Sequence, residues 1–89
     1  MRLSADWMVI ADDRILEYLN ENETGTPKQM ADSGYVRFSR SYITQRCKKL
    51  LNYGLIRHLG NGVYMITERG QEYLDSDLDA AELEPGKEN

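Results

Sequence analysis

Acidic residues are missing from one 35-residue window of the chain, although Asp and Glu together account for 15 of its 89 residues. This acid-free window, Ser33–Thr67, holds six basic residues: Arg37, Arg40, Arg46, Lys48, Lys49 and Arg57. Residues 1–32 carry three basic and seven acidic residues, and residues 68–89 carry two basic and eight acidic ones. A partner that meets only the window therefore meets a cation, and the commonest large polyanion in a cell is nucleic acid.

The chain has few groups for cross-linking or for catalysis. Its single cysteine, Cys47, excludes an internal disulfide framework. One cysteine and one histidine, His58, are too few for a zinc site, and there is neither a glycine-rich phosphate loop nor a nucleophile–base pair. We therefore expect no enzyme activity, no cofactor and no bound metal. Cys47 is expected to be a small buried hydrophobe, and His58 a structural or solvated side chain.

Long apolar runs are absent as well. The longest one, residues 7–11, is far too short to span a membrane, and the N-terminus lacks the apolar stretch and cleavage site of a secretory signal. We expect a cytoplasmic protein with one modest core. The acid excess indicates either simple solubility or adaptation to high salt, in which lysines are also few; here arginine outnumbers lysine seven to four.

The first half of the chain predicts two helices. Apolar residues at helical spacing place the first over about residues 11–21, and Met8 extends the stripe 8, 12, 15, 19 backwards, which favours a start near Asp6. Thr26, Pro27 and Gln29 then form a helix-start signal, a capping box with proline at the first position. This second, short helix is expected to end at residues 33–34.

The second half predicts a longer helix, a hairpin and a last helix. Ser39 is the N-cap of a helix that runs to about Tyr53 and buries Ile43, Cys47, Leu50 and Leu51. Residues 55–59 and 63–66 read as two strands joined by the loop 60–62, and Thr67 caps a helix through about residue 74. The predicted fold is mainly α with a small β-hairpin (α+β), a winged helix-turn-helix over residues 1–79. Residues 80–89 are expected to be an acidic, disordered tail.

The helix that begins at Ser39 is the candidate recognition helix. Its side opposite the buried stripe offers donors, acceptors and cations but no carboxylate. Arg and Gln can bond base edges bidentately, and Lys and Ser suit phosphates. An ordinary solvated helix face is the alternative. The DNA-binding candidates in and before this helix are Arg37, Ser39, Arg40, Ser41, Tyr42, Gln45, Arg46, Lys48 and Lys49.

The hairpin adds two further candidates. Arg57 and Asn61 are placed where a wing could reach phosphate or the minor groove. The alternatives are that Arg57 is a solvated strand residue and that Asn61, followed by Gly62, serves only the turn.

Three segments resemble a known family. They are residues 7–8 with 11–19, residues 39–50 leading into 53–56, and residues 60–64 with 66–70 and 73–74. Together they are similar to small phage-repressor-like winged-helix proteins of haloarchaea. The resemblance implies a transcriptional repressor that binds double-stranded DNA in a high-salt cytoplasm. It also implies that residues Arg40, Ser41, Tyr42, Gln45 and Arg46 lie on the recognition helix and that residues 60–62 form the wing tip.

A homodimer is the expected assembly, since it would set two recognition helices about one DNA turn, roughly 34 Å, apart. The candidate interface segments are residues 1–10 and the end of the last helix with Leu78; the alternative is that both pack on their own monomer or fray. The rival interpretation is a winged-helix module that binds proteins and not DNA, because fold alone does not decide function. RNA binding is a third possibility, which the single Phe and the lack of a glycine–aromatic signature disfavour.

Overall fold

A computed structural model of the chain describes residues 2–86. In chain order its elements are α1 (Ile10–Asn22), β1 (Thr24–Gly25), α2 (Pro27–Ser33), α3 (Arg40–Asn52), β2 (Ile56–Gly60), β3 (Val63–Ile66), α4 (Glu68–Leu74) and a 3-10 helix (Ala80–Glu82). Helices α2 and α3 pack against each other as the two helices of the helix-turn-helix, and β2 and β3 form the wing. The predicted α+β winged helix-turn-helix fold is confirmed.

Local capping signals set most helix ends. Thr26 Oγ1 accepts a hydrogen bond from the Gln29 N–H, and the Gln29 side chain accepts one from the Thr26 N–H, which completes the predicted capping box. Ser39 Oγ and Thr67 Oγ1 cap α3 and α4 in the same way, each accepting from the N–H three residues on. Gly34 ends α2 with a left-handed backbone, φ 80°.

Helix α1 begins later than the apolar stripe suggests. The predicted bounds of about 11–21 are confirmed to within one residue, since the helix is Ile10–Asn22, whereas the suggested extension back towards Asp6 is wrong. Val9 has no side-chain acceptor, and the Asp12 carboxylate instead accepts a hydrogen bond from the Val9 N–H at 3.0 Å. The stripe passes through position 12 because Asp12 is itself fully buried.

The sheet contains one strand that the sequence did not predict. Its order is β1-β3-β2, all antiparallel, with Thr24 opposite Met65 and Gly25 opposite Tyr64. Two residues are too few to show the alternation that marks a strand. Gly25 is needed there, because a Cβ atom at this position would lie 2.7 Å from Cε1 of Tyr18.

The wing turn is one residue shorter than predicted. Gly60 belongs to β2 and pairs with Val63, which leaves a two-residue turn, Asn61 and Gly62, with positive φ at both positions, 54° and 76°. A β-bulge between His58 and Gly60 inserts one residue into β2. His58 Nε2 accepts a hydrogen bond from the Gly62 N–H at 3.2 Å, so this histidine braces the turn, in line with its structural interpretation.

The core lies between α1, α3, α4 and the base of the wing. Its fully buried side chains include Ile15, Leu16, Leu19, Ile43, Cys47, Leu50, Leu55, Ile56 and Tyr73. Cys47 is buried as expected. Burial, together with the nearby charge of Asp12, raises the pKa of its thiol to about 12, which favours a packing role.

The predicted disordered tail is wrong for residues 80–86. Ala80 is fully buried and its N–H donates to the Leu3 carbonyl at 2.8 Å, while Leu83 packs against the core. The Gly86 N–H donates to the carbonyl of Asn52, at the end of α3, at 2.9 Å. Acidic composition suggested a solvated tail, but small and apolar residues at 80 and 83 dock while the acids between them stay outside. Residues 87–89 of the predicted tail lie outside the described residues.

Glu17 joins α1 to the N-terminal segment and to the helix-turn-helix turn. Its carboxylate accepts hydrogen bonds from Arg2 at 2.5 Å, from Arg14 at 2.9 Å and from the Tyr35 hydroxyl. Partial burial raises the pKa of this carboxyl, but the hydrogen bonds from Tyr35, Arg2 and Arg14 outweigh it and hold the pKa below its ordinary value of 4.5.

Replacing Glu17 by glutamine should make acid unfolding less steep. A carboxyl whose pKa is depressed on folding stabilises the fold above its ordinary pKa and loses that contribution as the pH falls through the folded value. The wild type should therefore lose stability below about pH 4.5 more steeply than Glu17→Gln, by up to about one proton in the slope. Urea unfolding between pH 3 and 7 measures this, with Glu21→Gln, an exposed acid of the same helix, as the control. Parallel curves for wild type and Glu17→Gln would contradict it.

Candidate nucleic-acid interface

The turn and the second helix, α3, of the helix-turn-helix lie within the acid-free window, whereas α2 precedes it apart from Ser33. Val36, fully buried, anchors the turn between α2 and α3, and the ring of Phe38 lies 5.3 Å from that of Tyr42. The buried stripe of Ile43, Cys47 and Leu50 fixes which way α3 faces. Helix α3 is thus held against the core by one side and presents the other to solvent.

Most of the predicted contact residues lie on this outward side. Tyr42 is half-buried against Phe38, and the rest of the predicted set in the turn and helix, apart from Arg46, is exposed. The exposed members are Arg37, Ser39, Arg40, Ser41, Gln45, Lys48 and Lys49. They bring amide, hydroxyl and cationic groups together on one helix and its leading turn, as the sequence predicts.

The exposed cations of this side form no ion pair with any residue of the described part of the chain, 2–86. Within residues 2–86, the ion pairs of Arg2, Arg14 and Lys28 lie outside the window, and Arg46 is the one cation of the window that forms an ion pair. Lys49 rests near an aromatic ring, with Nζ 5.9 Å from the centroid of Tyr53, and remains exposed. The surface therefore keeps its positive charge for an anionic partner.

Arg46 is predicted to contact DNA, but the structure holds its guanidinium in an ion pair with Asp12. Its Nε donates to Oδ1 of Asp12 at 2.9 Å, and one terminal nitrogen donates to Oδ2 of Asp12 at 2.7 Å and to the Trp7 carbonyl at 2.9 Å. Asp12 is fully buried and the Arg46 side chain is 16% exposed. The hydrogen bond to Asp12 raises the pKa of the guanidinium. Moving Arg46 to a phosphate would strand a buried carboxylate, at a cost of about 3–5 kcal/mol.

One sequence signal pointed to this pair. Asp12 lies on the apolar stripe of α1, and a carboxylate at a buried position needs a cation nearby. The helical wheel alone puts Arg46 on the flank of the exposed side, where it reads as a DNA contact. A helical wheel of α3 does not show the N-terminal segment, which covers that flank. Trp7 of this segment stacks on Tyr53, with ring centroids 4.1 Å apart.

The wing presents exposed side chains of mixed character. Arg57 and Asn61 are both exposed, so neither is excluded from contact with a partner, while the positive φ of Asn61 shows that it also serves the turn. Leu59, at the bulge, is 49% exposed and was not among the predicted residues. An apolar side chain on the wing carries no charge or motif signal that would single it out in the sequence.

No helix within residues 2–86 is long and apolar enough to cross a membrane.

The chain matches the family model described as winged helix-turn-helix phage repressor over residues 1–86. Among solved structures it is similar to the PhiH1 repressor-like protein from Haloarcula marismortui, with 45% sequence identity and a TM-score of 0.91 over 96% of this chain and 97% of that one. Curated protein sequences give no significant match.

Proposed function

Because the chain belongs to the winged helix-turn-helix phage repressor family, we propose that it is a sequence-specific DNA-binding repressor of transcription, acting by binding and not by catalysis. The observation that carries the proposal is the exposed side of α3, which holds cations and amides with no carboxylate in the window around it. Such a surface fits the major groove, which admits one helix and offers a distinct pattern of donors and acceptors for each base pair.

The roles divide between base reading and backbone contact. Arg40 and Gln45 are proposed to bond base edges, Arg40 because it leads α3 into the groove and Gln45 because it lies in the middle of the exposed side. Phosphate and wing contacts hold the register of the complex on the duplex. The residues proposed for them are Arg37, Ser39, Ser41, Tyr42, Lys48, Lys49, Arg57 and Asn61.

The similarity to a protein from Haloarcula marismortui supports a working environment of high salt. At about 1 M salt the screening length is roughly 3 Å, so attraction between separated charges is weak. Affinity for phosphate falls with a log-log slope of about −0.9 per contact as salt rises. Direct base contacts and close ion pairs must then supply more of the affinity.

A homodimer is part of the proposal. Three apolar side chains of the N-terminal region stay exposed, Leu3 at 47%, Val9 at 41% and Ile10 at 56%, which supports an interface there. Leu78, at the other predicted interface segment, packs partly on the core of its own chain. Sedimentation at high protein concentration tests the dimer, and a monomeric mass would remove it.

Selection of bound sites from a random DNA pool tests the function. A repressor of this kind should recover one sequence, and a homodimer should recover it as a palindrome with half-sites about 34 Å apart. Titrations against the selected site at several salt concentrations should follow. No binding to any duplex, even at low salt, would overturn the proposal and favour a module that binds proteins.

Two exposed residues of α3 should respond differently to alanine substitution. Gln45→Ala should weaken binding to the selected site by about 1–3 kcal/mol and leave binding to unrelated DNA unchanged, because a base contact is lost. Lys48→Ala should weaken binding to all sequences and lower the salt slope by about 0.9, because a phosphate contact is lost. Fluorescence anisotropy on matched selected and scrambled duplexes measures both. Equal losses on both duplexes for Gln45→Ala would contradict the base-reading role.

A further inference from the structure

We propose that Asp12 and Arg46 form a positioning pair that sets the orientation of α3 for base reading, an inference that rests on the proposed function. The pair links the first turn of α1 to the middle of α3. These two helices are not consecutive in the chain, because β1 and α2 lie between them. Neither member is proposed to touch DNA. They act through the exposed residues that α3 carries.

The hydrogen bonds of the pair define one geometry. Three N–H donors of the Arg46 guanidinium are used, two on the Asp12 carboxylate and one on the Trp7 carbonyl. The same carboxylate accepts the Val9 N–H at 3.0 Å, so it is itself fixed to the start of α1. A planar guanidinium held at three points fixes rotation as well as distance, which a single point charge such as lysine cannot do.

The position of Arg46 on α3 makes this geometry relevant to recognition. Tyr42 and Lys49 lie one turn before and one turn after it on the same helix, and Gln45 is adjacent in the chain. A small rotation of α3 about its axis would move all of these side chains relative to the groove. Base edges are read by hydrogen bonds whose strength falls steeply with distance and angle, so such a rotation would cost discrimination before it cost phosphate affinity.

Burial makes the pair independent of the salt around it. Asp12 is 0% exposed and the Arg46 side chain 16%, so mobile ions have little access to the contact. In the high-salt environment proposed above, where attraction between exposed charges is screened, this pair would still hold α3. Its role is therefore separate from that of the exposed cations of the window.

The test uses three variants of the full chain and two measurements. Arg46→Lys keeps a cation but not the fork, Asp12→Asn keeps the shape but not the charge, and the double variant Asp12→Leu with Arg46→Met replaces the pair by apolar groups that can preserve the fold. Amide chemical shifts of α3 are measured in the free protein. Anisotropy titrations against the selected and a scrambled duplex give the discrimination ratio and the salt slope, with Lys48→Ala as the phosphate-contact control.

A positioning role predicts shifted α3 amides in all three variants, at least about a tenfold fall in discrimination, equivalent to 1.4 kcal/mol, and an unchanged salt slope. A slope lowered by about 0.9 for the double variant, which removes the cation as Lys48→Ala does, would overturn the proposal by making Arg46 a phosphate contact. Unchanged discrimination in a variant that is folded by circular dichroism would also overturn it. Failure of the wild type to bind any duplex would count against the proposed function, whereas unmoved α3 amides would count against positioning alone.

Discussion

Replacing Asp12 by alanine is expected to lower the free energy of unfolding by about 3–5 kcal/mol, because it leaves the Arg46 guanidinium partly buried without its partner. The carboxylate is fully buried and accepts three hydrogen bonds, two from Arg46 and one from the Val9 N–H. Small domains are stable by only about 5–15 kcal/mol, so this one change removes a large part of the margin. Urea unfolding monitored by circular dichroism measures the difference in free energy of unfolding, when both variants are fitted with the same dependence of that free energy on urea concentration.

Two control variants separate the buried pair from charge loss in general. Asp32→Ala removes an exposed partner of Lys28 on α2, where both side chains are about two-thirds exposed, and should cost no more than about 0.5 kcal/mol. The apolar double variant Asp12→Leu with Arg46→Met should be much more stable than Asp12→Ala, because no charge remains unpaired. The loss for Asp12→Ala should persist in molar potassium chloride. A loss below about 1 kcal/mol, or one abolished by salt, would show that the pair contributes as a surface pair does.

Gly70→Ala is expected to destabilise the fold by about 3 kcal/mol or more, near or beyond the usual upper range for an overpacked core. An added Cβ would lie 2.3 Å from the Leu55 carbonyl oxygen and 2.6 Å from Cγ1 of Ile66. The first of these is backbone at the entry to the wing and cannot move aside alone, so α4 must shift away from the sheet. Helix propensity alone would favour alanine here by up to about 1 kcal/mol, so the sign of the effect tests the close approach directly.

A neighbouring position of α4 provides the control for this substitution. Arg69→Ala, on the exposed side of the same helix, should change the free energy of unfolding by less than about 0.5 kcal/mol. Thermal unfolding of both variants gives the comparison, with a fall in Tm of several degrees or more expected for Gly70→Ala. An unchanged or raised Tm for Gly70→Ala would mean that α4 does not approach the sheet as closely as described.

Features with local causes were the ones that could be predicted from the sequence. The caps at Thr26, Ser39 and Thr67 depend on a side chain and a backbone N–H three residues on, so the spacing contains all the information. The buried face of α3 follows likewise from its 3.6-residue period. These signals predicted correctly the bounds of α3, the candidate recognition helix, and which of its residues are exposed.

Features that depend on distant parts of the chain could not be predicted in this way. Strand β1 exists because β3 passes beside it, and residues 80–83 dock because Leu3 and the core offer them a place. The helical wheel placed Arg46 on the exposed flank of α3, but its guanidinium donates hydrogen bonds to Asp12, 34 positions earlier in the chain. In each case the decisive partner is remote in sequence, and neither composition nor period records it.

Because Cys47 is buried, its reaction with a thiol reagent reports how often the core opens. As the single cysteine, fully buried at the centre of α3 and with a thiol pKa near 12, it presents no reactive thiolate while the core is closed. A thiol reagent can modify it only after the core around α3 has opened, so the modification rate follows the fraction of molecules that are open. A second cysteine placed on the wing would, for the same reason, be labelled alone in the native state.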